Sequence, residues 1–151
     1  MKGFTEALMN DLRLNAPHIK CSVVMPGHIG TSIVSNSRKI QAGNESEELS
    51  ANEILSARQR LKGMGIDTAV MSDEDIQKIA IDRARSFLEE APTSAAAAAK
   101  TILDGVKAER WRILVGDDAV RLDERVRQTP ERAYDAEFYQ SFAQEVGWRL
   151  G

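Results

Sequence analysis

The sequence predicts an α/β fold, rich in helix, with about two strands of a parallel sheet in this chain. Three observations predict it. The apolar run Cys21-Ser22-Val23-Val24-Met25 stops at Pro26-Gly27, and a valine-rich run bounded in this way reads as a strand buried on both faces. A second short run, Arg112-Ile113-Leu114-Val115, ends at Gly116. Between and around them lie amphipathic stripes at helical spacing, about six helices in all. Buried strands of this kind belong to parallel sheets, whose ligands lie beyond the carboxyl ends of the strands. Pro26-Gly27-His28-Ile29-Gly30-Thr31 occupies that position. Glycine lets backbone come close to a ligand, and Ile29 and Thr31 would offer backbone N–H groups and a hydroxyl. As spacing alone, Pro-Gly-x-x-x-Thr matches many strand-to-helix turns.

The 151 residues suffice for one ordinary domain, and 42% hydrophobic with 28% charged residues is a globular composition. A net charge of −3 gives no reason to invoke nucleic acid or an anionic membrane surface. No apolar run approaches the ~20 residues of a membrane span, and the N-terminus reads as an amphipathic helix without a cleavage site. Cys21 is the single cysteine, so no intrachain disulfide can form. It is read as a small core residue, and a cytoplasmic location is expected.

The elements follow in order. Lys2–Leu14 carries Phe4, Leu8 and Leu12 four residues apart with Lys2, Glu6, Asn10 and Arg13 on the other side, an amphipathic helix. Pro17 stops it, while nothing before Met1 caps it. The strand is expected over Lys20–Met25, and a polar loop from Thr31 to about Ser50 with Arg38-Lys39 and Glu45–Glu48 in solvent. Ser50-x-x-Glu53 is a capping box that opens a helix to Gly63. Gly63-Met64-Gly65 ends it; its likeness to a Gly-x-Gly-x-x-Gly nucleotide loop fails because Thr68 stands at the third glycine and no strand precedes it. Ser72-x-x-Asp75 opens the next helix, with Ile76, Ile79, Ala80, Phe87 and Leu88 as its stripe, and Pro92 breaks it. Thr93 or Ser94 caps a helix through the alanine run Ala95–Ala99, whose core face is read as Ile102, Leu103 and Val106. After the second strand, Gly116-Asp117-Asp118 caps a helix from Ala119 to about Val126. A metal at the two aspartates lacks a third converging ligand. Thr129-Pro130 starts a last helix with Pro at its first position, striped by Phe138, Phe142 and Val146.

Lys2–Leu8, Asp11-Leu12 and above all Ser22-Val23-Val24-Met25-Pro26-Gly27-His28-Ile29-Gly30-Thr31 resemble the short-chain dehydrogenase/reductase family. In that family a helix carrying Tyr-x-x-x-Lys runs on into a segment like Gly3–Leu14, and a strand ending in Pro-Gly-x-Ile-x-Thr follows. Glu90–Ser94 and Trp111–Asp118 are similar to the last helix and last strand of a bacterial-type branch. The resemblance covers residues from Met1 to Arg127. It implies a Rossmann-like, doubly wound parallel sheet and hydride transfer between NAD or NADP and an alcohol or carbonyl substrate. It further implies cofactor contacts from Pro26, Gly27, Ile29 and Thr31, with His28 as a substrate-side candidate. The full-length form is then expected to be a homo-oligomer.

The family's acid/base Tyr needs a neighbouring cation to work near neutrality. Here the residues four beyond Tyr134 and Tyr139 are Phe138 and Ala143, so neither makes Tyr-x-x-x-Lys, and the Gly-rich loop is absent too. No catalytic residue is therefore expected in this chain, which reads as the C-terminal part of one NAD(P)-binding domain spanning 1–151. Residues 32–92 would be a helical insert covering a bulky or apolar substrate, and 128–151 a helical tail. Two strands are too few for a buried parallel sheet, which independently suggests an incomplete domain. The alternative function is a non-catalytic truncated module that pairs with a full-length subunit through the Phe4/Leu8/Leu12 face.

Overall fold

A computed structural model describes residues 2–43, 45–46 and 48–148. Met1, Glu47 and the last three residues of the tail, all touched by the expectations above, lie outside them. Among the described residues the chain is a mixed α/β protein with seven α-helices and four short strands. The described residues divide into two units, 2–29 with 92–146, and 30–91 with 147–148.

The first unit is organised on two strands. β1 (Val23–Pro26) and β4 (Arg112–Val115) pair in parallel, with Val23 opposite Arg112 and Pro26 opposite Val115. Two two-residue strands, β2 (Ile29–Gly30) and β3 (Thr93–Ser94), come between them in the chain. The first strand is shorter than the expected Lys20–Met25. The ladder begins where the Val23 N–H donates to Trp111 O. Before it, the Ser22 hydroxyl bonds Arg110 O and Lys20 pairs with Glu109 in solvent. Lys20–Ser22 thus lie beside a turn, which offers side-chain partners but no ladder. Nor is the run buried on both faces: Val23 is buried, Val24 is exposed, and Cys21 and Met25 are half-buried.

β4 alternates. Ile113 and Val115 are buried against Ala98 and Ile102 of α5 (Ala95–Lys107). Arg112 points to the opposite face by the two-residue period of a strand. There it pairs with Asp123 of α6 (Asp117–Gln128). Helices therefore cover both faces of β4, as in layered α/β folds. Ser94 caps α5 by accepting the Ala97 N–H, as its sequence predicts. The core face of α5 differs from the expected one: Ala98 and Gly105 are buried, whereas Leu103 and Val106 are 57% and 51% exposed. The reason is the closeness of helix and strand, since a Cβ on Gly105 would lie 2.7 Å from Ile113 Cδ1. The rest of the alanine run faces solvent.

In α1 (Lys2–Asn15), Leu8 and Leu12 are half-buried and Phe4 is exposed. The tail departs from one continuous helix. Pro130–Arg132 make a single 3₁₀ turn, and α7 (Ala136–Glu145) begins after Asp135. Phe138 and Phe142 are buried, with the Arg125 guanidinium 4.9 Å and 5.9 Å from their rings.

The second unit is three helices. The expected polar loop after Thr31 is largely α2 (Ile33–Ala42), closed by Gly43 in the left-handed conformation. Arg38 is drawn out of solvent to Glu53 Oε1 at 2.8 Å and to Ser46 O at 2.9 Å. α3 (Ala51–Gly63) and α4 (Asp73–Glu89) start with the two capping boxes read from the sequence. They bury Ala57, Leu61 and Ile76 between them. α3 ends in a Schellman arrangement: the Gly65 N–H donates to Lys62 O and the Ile66 N–H to Leu61 O, with Gly65 at φ +81°.

Candidate functional site

Parallel pairing brings the carboxyl ends of β1 and β4 side by side. The Gly27 N–H continues the ladder by donating to Val115 O at 2.9 Å. The turn after β1, Pro26–Ile29, and the turn after β4, Gly116–Asp118, therefore lie next to each other. Gly116 has φ +97°, a backbone region that glycine enters freely and most residues avoid. It sends the chain from strand into α6 within one residue.

Asp118 joins the two turns. It is 6% exposed. Its Oδ2 accepts the His28 N–H at 2.6 Å and its Oδ1 accepts the Ala119 N–H at 2.9 Å. A carboxylate in the first turn of a helix is favoured by the free N–H groups and the positive end of the helix dipole. Gly27 leaves room for it: a Cβ there would lie 2.0 Å from Asp118 Oδ1 and 2.3 Å from its Cγ.

The sequence expected Asp117-Asp118 to cap a helix starting at Ala119. The helix starts at Asp117 instead, and the preceding Gly116 has no side chain to cap it. Asp118 does a different job, gripping the backbone of a turn 90 residues away. The only local sign of it is an acidic residue in a helix's first turn, which many helices share.

The other candidates fall as follows. Pro26 is exposed at the end of β1, and Gly27, His28 and Ile29 are half-buried in the turn. Ile29 packs against the cluster of Ala98, Ile113 and Val115. Gly30 and Thr31 belong to the second unit. A Cβ on Gly30 would lie 2.6 Å from Leu88 O, so only glycine fits there. Thr31 is half-buried, and its hydroxyl has no hydrogen-bond partner among the described residues. Among the described residues no three His, Cys, Asp or Glu side chains converge as metal ligands, and no helix is long and apolar enough to cross a membrane.

Comparison with family models, curated proteins and solved structures finds no match to this chain.

Proposed function

We propose that this chain is part of an oxidoreductase resembling the short-chain dehydrogenases, in which the turn Pro26–Thr31 contacts the nicotinamide end of NAD or NADP. The observation that carries the reading is the parallel β1/β4 pair with its two carboxyl-end turns side by side, the place where open α/β sheets take their ligands. The donors are those of the turn itself. The N–H groups of Gly27 and His28 are committed to Val115 O and Asp118. Among the turn's side chains the Thr31 hydroxyl, half-buried and without a partner among the described residues, is suited to a cofactor oxygen, beside the backbone N–H groups of Ile29 and Thr31. The Asp118 carboxylate disfavours an anionic pyrophosphate beside His28 and suits the neutral carboxamide, whose amide protons a carboxylate accepts.

Bound NAD(P) would supply the hydride. The chain's own residues would hold and orient the ring, and the acid/base Tyr and Lys and the Gly-rich loop would come from sequence outside these 151 residues. Residues 32–92 would serve the substrate. On this reading the 151-residue chain alone oxidises no NADH with any carbonyl substrate.

The test is to read the frame upstream of the Met1 codon and to express any longer product. Codons for a Gly-rich loop and Tyr-x-x-x-Lys, and NAD(P)-dependent turnover that falls in Thr31→Ala, are the expected results. Turnover by the 151-residue chain itself, or an upstream stop, would overturn it. The second result would favour the non-catalytic pairing module. That reading draws on the exposure of Phe4, at 74%, on the apolar side of α1.

A further inference from the structure

The second unit carries a groove among α2, α3 and α4 with a volume of about 1180 Å³. Its floor is the buried pair Leu61 and Ile76, and Val34, Met64, Ile79 and Phe87 are among its walls. Val34 and Met64 are 43% and 44% exposed, so apolar wall faces water. Five cations line the groove, Arg38, Lys39, Arg60, Arg83 and Arg85, against one acid, Glu53. Three of the five are neutralised: Arg38 by Glu53, Lys39 by Glu45 and Arg85 by Asp82. Arg60 and Arg83 make no ion pair among the described residues.

Each makes a hydrogen bond with Met64. Arg83 Nη1 donates to Met64 Sδ at 3.6 Å, and a thioether is a weak acceptor. Arg60 lies in the last turn of α3, and the N–H of Met64, which follows the helix, donates to Arg60 O at 3.1 Å. Two guanidinium groups with no ion pair among the described residues thus line one apolar groove. A guanidinium binds carboxylate through paired N–H groups far better than it binds sulfur.

We propose that the groove binds a small amphipathic carboxylate. Its apolar body lies over Leu61 and Ile76, and its carboxylate is taken by Arg60 and Arg83. Ligand pockets commonly combine apolar walls with a few such polar groups. The proposal does not rest on the oxidoreductase reading, because it concerns binding within the second unit alone.

The test uses the 151-residue chain with methionine methyl groups labelled for NMR, titrated with decanoate and, separately, with decanol. Decanoate is expected to give a saturable shift of the Met64 methyl and to leave Met9 and Met25 unmoved. Decanol is expected to bind about tenfold more weakly, the loss of roughly one charge-assisted contact. The double variant Arg60→Gln, Arg83→Gln, its fold checked by circular dichroism, is expected to bind decanoate about as weakly as decanol and to bind decanol unchanged. Several results would overturn the site: no saturable shift, equal affinity for the two probes, shifts spread over all methionines, or a self-associated chain that decanoate does not disturb. If the double variant fails to fold, each single variant is measured, and an unchanged decanoate affinity in both would equally sink the idea.

Discussion

The Asp118 carboxylate holds the His28 N–H at 2.6 Å, and the absence of a side chain at Gly27 makes the space for it. The turn after one strand is thereby set by a residue that follows the other. The relationship predicts a coupling. Asp118→Ala removes the carboxylate that accepts this half-buried N–H and should cost about 1–3 kcal/mol. Gly27→Ala pushes the carboxylate away and should cost a similar ~1–3 kcal/mol. The two should not add, because the added methyl clashes with atoms that Asp118→Ala has removed. Urea unfolding of both single variants and the double variant reads this directly. Additive costs would mean that the two residues do not share one contact.

Arg112 and Asp123 form an ion pair in which each side chain is only 11% exposed. Asp123→Ala strands the guanidinium in the interior and should destabilise the chain by about 3–5 kcal/mol. Replacing both partners with apolar residues of similar size should cost far less. Equal losses in the single and double replacements would show that the pair itself, not the stranded charge, matters.

Gly105 and Ile113 test the closeness of α5 to β4. Gly105→Ala places a methyl 2.7–3.1 Å from three atoms of Ile113. The expected loss is about 1–3 kcal/mol, despite the better helix propensity of alanine. Ile113→Val removes Cδ1, the atom in tightest contact, and should recover part of it. Thermal melts of the single and double variants supply the comparison.

The start of α3 sets a pH dependence. The Ser50 hydroxyl, the Ser50 N–H and the Arg38 guanidinium hold Glu53 down from its ordinary 4.5 to about 2. A carboxylate depressed by folding stabilises fully above its unfolded value and loses that contribution as pH falls. The expected weakening therefore runs from about pH 4.5 down to about 2. Asp75, lowered chiefly by the Ser72 hydroxyl in the same motif on α4, adds to it in the same direction. Ser50→Ala should cost about 1 kcal/mol near neutral pH, and it should flatten stability against pH below 4.5. A difference between wild type and variant that does not shrink on acidification would contradict this.

The first unit leaves apolar surface in water. Phe4 and Leu14 are 74% and 84% exposed, and Val24 on β1 is 37% exposed. β1 and β4 pair only with each other among the described residues, so each has an open edge, and open edges recruit other chains. Concentration-dependent self-association is expected in size-exclusion chromatography with light scattering. A monodisperse monomer with one sharp unfolding transition would count against it.

The sequence by itself determined what rests on neighbours within a few residues. Ser50 with Glu53, Ser72 with Asp75, Ser94 before the alanine run and the Gly65 stop were legible because each bond spans one helical turn. The Pro26-Gly27 strand end and the short strand Arg112–Val115 were legible because apolar runs closed by Pro or Gly carry their own boundary. The polar stretch from Thr31 to about Ser50 reads as loop, yet Ile33–Ala42 of it is α2. The structure instead engages Arg38 with Glu53 and Ser46, a choice of partner that spacing does not record. On α5 Ile102 packs on the core as expected, and the rest of its buried face escapes the sequence for a related reason. Leu103 and Val106 are the more apolar residues, yet the helix meets β4 through Ala98 and Gly105, because close approach selects small side chains. The site shows the division most clearly. Local sequence marks Pro26–Thr31 as a turn at a strand end, and only the tertiary structure sets Asp118 against it. A hydrogen bond across 90 residues depends on strand pairing, and a chain read in order holds no trace of that pairing.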